Sequence, residues 1–198
     1  MIKARLLLSA MFCAVLLSAC GSSPPVRFYT LEPMQGARSS ADVASTIGVG
    51  PLRFPDYLNR PQIVSSGENG KVVVAEFDRW ADAAASTFQR ALTANLNSLL
   101  DDTMAIEFPF GGGLLHPDYR LVAQVNQFST DITGLATLDI SWVMVTADDA
   151  EFISSRRSVF TAPAASDSSY ASRVAAMNET LRAYSRQVAQ LFQAAADQ

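Results

Sequence analysis

The spacing of apolar positions along this chain switches between two rhythms, and each switch marks an element. "RFYTL" (Arg27 to Leu31) is short, aromatic and β-branched, and Pro33 stops it, so it reads as a strand. A polar, small-residue linker follows from Gln35 to Ser45. In "TIGVGPLRF" (Thr46 to Phe54) Ile47, Val49 and, less cleanly, Leu52 alternate with small or polar positions. "QIVSS" and "KVVVAEF" then flank "GENG", whose two glycines and asparagine predict the loop of a hairpin.

The rhythm next lengthens. Phe88, Leu92, Leu96, Leu99 and Leu100 fall at the helical spacing, with Asp78 or Asp82 as the cap. Asp101 and Asp102 would sit badly at a helix C-terminus, so the helix is expected to end near Leu100. Period two then returns. "DYRLVAQVNQF" sets Leu121, Ala123 and Val125 on one face, and the chain turns around Gly134. In "LATLDISWVMVTA" Leu138, Ile140, Trp142 and Met144 alternate with Asp139, Ser141, Val143 and Val145. "DDAEF" predicts another turn and "FISSRRSVFTA" a third strand, which together make a meander. From Ser168 to Ala196 a long helix carries Val174, Leu181, Tyr184 or Ser185, Val188 and Leu191 on one side. Strands, helix, strands, helix predict an α+β fold, a twisted mixed or antiparallel sheet with two helices packed on one face.

One stretch obeys neither rhythm. "IGVGPLRFPDYLNRPQIV" (Ile47 to Val64) carries Pro51, Pro55 and Pro61, which forbid regular helix and hold an extended, kinked path. Tyr57 and Leu58 are thereby held in one place, either packed under the sheet or offered to a partner. If the segment is a docking edge, Tyr57, Leu58 and Arg60 should be exposed together, an aromatic and Arg combination common in interface hot spots.

The N-terminus says where the chain goes. Met1, Lys3 and Arg5 precede an apolar run from Leu6 to Leu17, a signal-peptide pattern. A bilayer-spanning helix needs roughly 20 apolar residues, so the run is too short to stay in the membrane. Leu17-Ser18-Ala19-Cys20 has the lipobox form of a bacterial lipoprotein: a branched apolar residue, two small ones, then the cysteine whose sulfur takes a diacylglycerol. Residues 1–19 are therefore expected to be a cleaved signal peptide and Cys20 the lipidated residue. Residues 20–26, with Ser22, Ser23, Pro24 and Pro25, form a short tether, and residues 27–198 form a single domain. One acyl chain anchors only marginally, and the acyl chains of a mature lipoprotein anchor firmly, palmitate among them. Gly21 and Ser22 follow the cysteine where Asp would favour inner-membrane retention, so the outer membrane, periplasmic face, is expected.

Composition narrows the function. The formal net charge of the 198 residues is −4, and loss of Lys3 and Arg5 with the signal makes the mature chain more acidic. Without a basic run it is a poor partner for nucleic acid. Of the two cysteines, Cys13 leaves with the signal and Cys20 carries lipid, so stability must come from packing rather than disulfides. The single histidine, His116 in "GGGLLHPDYR", could join Asp118 and Ser129 in a triad, but no Gly-x-Ser-x-Gly elbow accompanies it. Gly111, Gly112 and Gly113 lack the Lys-Ser/Thr of a phosphate-binding loop. One histidine and scattered carboxylates offer no metal site, and no cofactor is expected. Arg156-Arg157 reads as a charged pair on a sheet edge or solvent face.

"FYTL", "VGPLRFPDYLNRPQIV", "EFDRWAD" and "DYRLVAQVNQF", in that order, resemble the PqiC (YmbA) family of ABC-type transport auxiliary lipoproteins. The resemblance covers about residues 27 to 195 and implies a non-enzymatic outer-membrane subunit. Its implied partners are an MCE-domain protein and an inner-membrane transport subunit, its cargo lipid, and its role the upkeep of the envelope. The family pattern points to Pro55, Asp56, Tyr57, Leu58, Arg60 and Pro61, then Arg79 and Trp80, without giving any of them a binding role. Self-association stays open. Two rivals stand beside this reading: a stand-alone lipid or ligand carrier, which needs a deep apolar cavity, and a periplasmic hydrolase, which needs a polar cleft at His116.

Overall fold

The computed structural model describes residues 24–36, 43–109, 116–146, 152–167 and 169–196. The strands are β1 (Arg27–Tyr29), β2 (Ser45–Arg53), β3 (Gln62–Ser66), β4 (Val72–Trp80), β5 (Thr103–Glu107), β6 (Tyr119–Asp131), β7 (Leu135–Thr146) and β8 (Phe152–Pro163). The helices are α1 (Ala84–Leu99) and α2 (Tyr170–Ala196). All eight strands belong to one mixed sheet. The expected α+β architecture is what the chain adopts.

β6 is the spine of that sheet. One of its edges carries β7 antiparallel along its whole length, and β8 pairs on β7, giving the expected meander. The other edge is shared. β2 runs parallel to the first half of β6, to the register Arg53↔Gln124, and β3 resumes in the same direction at Ser65↔Thr130. β5 flanks β2, whereas β4 and then β1 flank β3. Thus β2 and β3 are two pieces of one interrupted strand, and the proline stretch is the excursion between them. β3 and β4 form the hairpin expected around "GENG", with Asn69 and Gly70 at positive φ in its loop. Gly134, φ 90°, closes the β6–β7 turn, where Asp131 Oδ1 accepts the N–H groups of Thr133 and Leu135. The "DDAEF" turn lies outside the described residues apart from Phe152.

Period two is read directly in burial. Leu121, Ala123 and Val125 of β6, and Ala136, Leu138, Ile140, Trp142 and Met144 of β7, all face the core. A register shift after Val125 brings Phe128 inward in place of residue 127. Both helices lie over this face: α1 with Phe88, Leu92 and Leu96, α2 with Val174, Met177, Leu181, Tyr184 and Val188. Near the end of α2, Phe192 is buried and Leu191 only half so, a shift of one position from the expected stripe. The helices also meet through polar side chains: Asn95 Nδ2 donates to Ser185 Oγ at 3.0 Å, and Asn95 Oδ1 accepts the Met34 N–H at 2.7 Å. Asn178 Oδ1 takes the Glu32 N–H at 3.0 Å, so the chain after β1 is strapped across both helices.

Two expectations fail. Asp78 does not cap α1; it sits inside β4, buried, two residues before the end of the strand. Asp82 stands just outside the first turn, taking the Ala83 N–H and, at 3.2 Å, Arg90 Nη1. β5 was not anticipated: "TMAIE" is five residues long and its apolar pattern is thin. It is held by β2 on one side and by Asn97, which exchanges two 2.9 Å hydrogen bonds with the backbone of Ala105.

Tyr184 supplies a test of this core. Its ring meets Trp142 and Phe160, and its hydroxyl, fully buried, has no hydrogen-bond partner among the described residues. Burial alone pushes that phenol well above its ordinary range. An unpaired buried hydroxyl costs about 1–3 kcal/mol, so Tyr184→Phe is expected to hold or raise Tm. A scanning-calorimetry melt checks this; a clear fall would mean that the hydroxyl is satisfied.

Candidate functional site

The N-terminal strand is fastened at one point. Arg27 Nε and Nη2 each donate to the Asp78 carboxylate at 2.7 Å, and the Tyr29 hydroxyl donates to Asp78 Oδ1 at 2.8 Å. The backbone adds the parallel register Arg27↔Asp78 to Tyr29↔Trp80, and the Ala81 N–H reaches Tyr29 O at 2.7 Å. A strand of three residues buries too little to hold itself, so this planar, bidentate pairing does much of the holding. The Arg27 hydrogen bonds, helped by that from Tyr29 and opposed by burial, hold the Asp78 carboxyl below its ordinary value of 3.8. Burial, then the bond to Asp78, raises the Tyr29 phenol. "FYTL" and "EFDRWAD", distant in sequence, thus converge on one carboxylate.

The proline excursion begins beside a local irregularity. Between Val49 and Leu52 the register on β6 shifts, with Gly50 at φ 134° and a cis Gly50–Pro51 bond. A Cβ on Gly50 would lie 2.2 Å from Phe108 O, so no other residue fits. From α1, Gln89 Nε2 donates to Val49 O at 2.7 Å and to Phe108 O at 3.0 Å, clamping β2 and the chain after β5 together.

The excursion then divides its side chains between two jobs. Phe54 packs edge-on against Phe88, centroids 5.4 Å apart; Phe88 meets Phe128 at 5.1 Å, and Phe128 stacks on Trp80 at 6.4 Å. Pro55 O accepts the N–H groups of Leu58 and Asn59, closing a turn. Leu58 is 4% exposed and joins the core, so it is not exposed together with its neighbours. Pro61 O accepts the Trp80 N–H at 2.7 Å. Outward go Asp56 and Tyr57, the latter 43% exposed, while Arg60 is half-buried with Nε donating to Gln62 Oε1 at 3.2 Å. The segment braces the sheet through Phe54, Leu58 and Pro61 and displays Tyr57.

The triad candidates do not meet. His116 is exposed; Asp118 Oδ2 takes the N–H and hydroxyl of Thr46; Ser129 is buried, its Oγ bonded to Ser66 Oγ at 3.0 Å. Asp118 and Ser129 mark the two ends of β6, more than about 30 Å apart at 3.3 Å per residue. Among the described residues no three His, Cys, Asp or Glu side chains gather where a metal ion could sit. Cys20 lies outside the described residues.

A mixed sheet covered on one face by two helices, with its first strand pinned by an ion pair, defines the α+β class of the described residues. By the family model that matches residues 29–189, the chain belongs to the ABC-type transport auxiliary lipoprotein component family. No curated protein matches it by sequence. Among solved structures, an uncharacterized protein superposes with a TM-score of 0.70 at 19% identity, covering 84% of this chain and 98% of its own. Protein XCC0632 from Xanthomonas campestris gives 0.68 at 16% identity, covering 87% and 100%. At these identities the likeness is one of fold.

The ion pair predicts a pH dependence. A carboxyl whose folded pKa is depressed contributes stability in full above its unfolded value, and that contribution is lost as pH falls below it. Asp78→Asn is expected to cost about 2 kcal/mol near pH 7, a fall of about 4–8 °C in Tm. The gap from wild type should be flat above about pH 5 and shrink below 3.8, read from melts across pH. A gap that is unchanged at pH 3 would remove Asp78 as the fastening point.

Proposed function

We propose that this chain is a non-catalytic, lipid-anchored subunit of an MCE-type intermembrane transport system, held at the periplasmic face of the outer membrane. Residues 1–19 would be its cleaved signal peptide, Cys20 its lipidated residue, 20–26 its tether and 27–198 its working domain. The observation that carries the reading is the family match across residues 29–189. The physical logic agrees with it. A tether of seven residues reaches at most about 25 Å, so the domain would stay close to the bilayer. Any pull on it would pass into β1 and from there into Asp78. The partner-facing groups proposed are Tyr57 and Arg60, with Leu58 setting them from beneath. Rigid display lowers the ordering cost of binding. Moving an apolar cargo between membranes needs a shielded route, because exposed apolar surface costs about 25 cal/mol per Å². Docking an anchored domain on an MCE protein would supply the outer-membrane end of such a route.

Two experiments test this. Cys20→Ser cannot form the thioether, so the variant is expected in an unprocessed or soluble form; normal outer-membrane fractionation would overturn the anchor. Tyr57→Ala/Arg60→Ala is expected to lose co-purification with the MCE protein while Tm moves little, surface changes being worth about ±0.5 kcal/mol. Leu58→Ala, by contrast, should cost about 2–5 kcal/mol through the cavity it leaves. If the double variant melts as low as Leu58→Ala, the excursion is a brace throughout and the docking surface lies elsewhere.

A further inference from the structure

Two hairpin tips stand side by side at one end of the sheet. Ser66 of β3 pairs with Val72 of β4 on one side and with Asp131 of β6 on the other. Two strand spacings, about 10 Å, therefore separate the β3–β4 tip from the β6–β7 tip. Of the eleven large apolar side chains exposed among the described residues, five belong to these two hairpins: Val72, Val73, Val74, Ile132 and Leu135. Neighbours along a strand point to opposite faces, so Val72 and Val73 leave the first tip apolar on both sides.

The backbone at both tips is already bonded within the protein. The Gly67 N–H reaches Lys71 O at 2.8 Å, and the Lys71 N–H reaches Glu68 O at 3.1 Å. The Gly134 N–H goes to Asp131 O at 3.1 Å, while Arg173 Nη1 and Nη2 donate to Asp131 O and Ile132 O at 2.9 and 3.4 Å. Polar groups that keep such partners can leave water at little cost; unpaired ones cannot. On the first tip the formal charges of Glu68 and Lys71 cancel.

The chain enters the domain from this same end. β1 runs parallel to β4 with Arg27 beside Asp78, so β1 is entered from the Val72 side. Val72 lies six residues before Asp78, about 20 Å of strand. Cys20 lies seven residues before Arg27, a reach of at most about 25 Å. An anchor at Cys20 cannot stand far beyond the tips. The tether thus brings a membrane to this end of the sheet, whatever protein binds elsewhere.

We infer that the β3–β4 and β6–β7 tips rest in the bilayer surface, with Val72, Val73, Ile132 and Leu135 about 5–10 Å into the headgroup boundary. The inference rests on the lipid anchor proposed at Cys20 and adds the orientation of the domain. Met104 of β5 is exposed beside the Tyr119 end of β6. That end stands about 40 Å from the tips, in the periplasm.

The test uses the lipidated protein, extracted from envelopes in a non-ionic detergent and reconstituted into vesicles of phosphatidylethanolamine and phosphatidylglycerol. With Cys20 acylated and Cys13 removed, Val72→Cys, Ile132→Cys and Met104→Cys each offer one thiol to the fluorophore NBD. On reconstitution, emission from positions 72 and 132 is expected to shift blue and brighten. Spin labels high in the acyl chains should quench it more than labels at the chain ends. Emission from position 104 should stay as in water. High salt should leave the pattern unchanged, because the contact is apolar. Adding Val73→Asp and Leu135→Asp to Ile132→Cys should remove most of its quenching; if that protein fails to fold, the three single-cysteine proteins still decide. Tips that stay in water, or equal quenching at position 104, overturn the inference. So do tips shielded in detergent by self-association on sedimentation but not reached by the lipid quenchers. Labelling of the wild-type protein overturns the anchor and this inference with it, whereas an unlabelled wild type with wet tips overturns this inference alone.

Discussion

Everything at the N-terminal side of this molecule depends on a single buried carboxylate. Asp78 accepts two bonds from Arg27 and one from Tyr29, and without it β1 would be three residues resting on the end of a strand. The desolvation of Asp78 is offset because the guanidinium pairs with it face to face and the phenol takes a remaining lone pair. From β1 the chain runs on across the helices, where Asn178 and Asn95 receive the Glu32 and Met34 N–H groups. Those two asparagines can hold the strap only while β1 sets its starting point. A polar network of this kind, satisfied at each member, rigidifies where a purely apolar contact would let a short strand slide.

The second constraint is geometric and belongs to β6. A strand of thirteen residues needs partners along both edges, and β2 with β3 covers one edge in two instalments. The interruption is where the structure gains a feature that a continuous strand would lack. A residue pair at Gly50–Pro51 breaks the register, the chain leaves the sheet, and Phe54 and Leu58 dive back to plug the aromatic cluster. The cluster is thus closed by the same excursion that lifts Tyr57 into solvent. Bracing and display are not alternatives here; the buried members of the segment are what hold the exposed ones still.

The meander, the hairpin, the C-terminal end of α1 and the run of α2 were legible because their signals are local: a period of two or 3.6 residues, a Gly-Glu-Asn-Gly loop, a pair of acids after Leu100. What escaped the sequence was long-range. β5 is recognisable chiefly by its parallel partner β2, more than fifty positions away, and its exposed Met104 and Glu107 dilute any alternation. Asp78 was open to misreading because an aspartate before a helix has the chemistry of a cap and of an ion-pair acceptor alike; only Arg27, placed opposite it by the sheet, decides between them. Likewise the prolines announced rigidity but could not say which side chain turned inward. Leu58 lies in the core and Tyr57 beside it lies outside, a division set by the turn at Pro55 rather than by either side chain's own preference.

The two faces of the sheet show how one strand pattern can serve two purposes. Along β7 the even positions from Ala136 to Met144 are buried under the helices, and the odd ones are the half-covered Thr137, Asp139, Ser141 and Val143. That mixture is too polar to be a second core, since its groups find partners only within their own layer: Asn126 bridges Asp139 and Ser141, and Arg157 takes Asp139. It is also less uniformly polar than a face meant only for water, because Val122 and Val143 sit side by side in the floor. The helices cannot cross to this side, as both are already committed to the other. What remains is a sheet face with Val122 and Val143 in its floor, Arg53 at one side and Arg157 held by Asp139 at the other. Its composition matches an interface, apolar at the centre and charged at the rim.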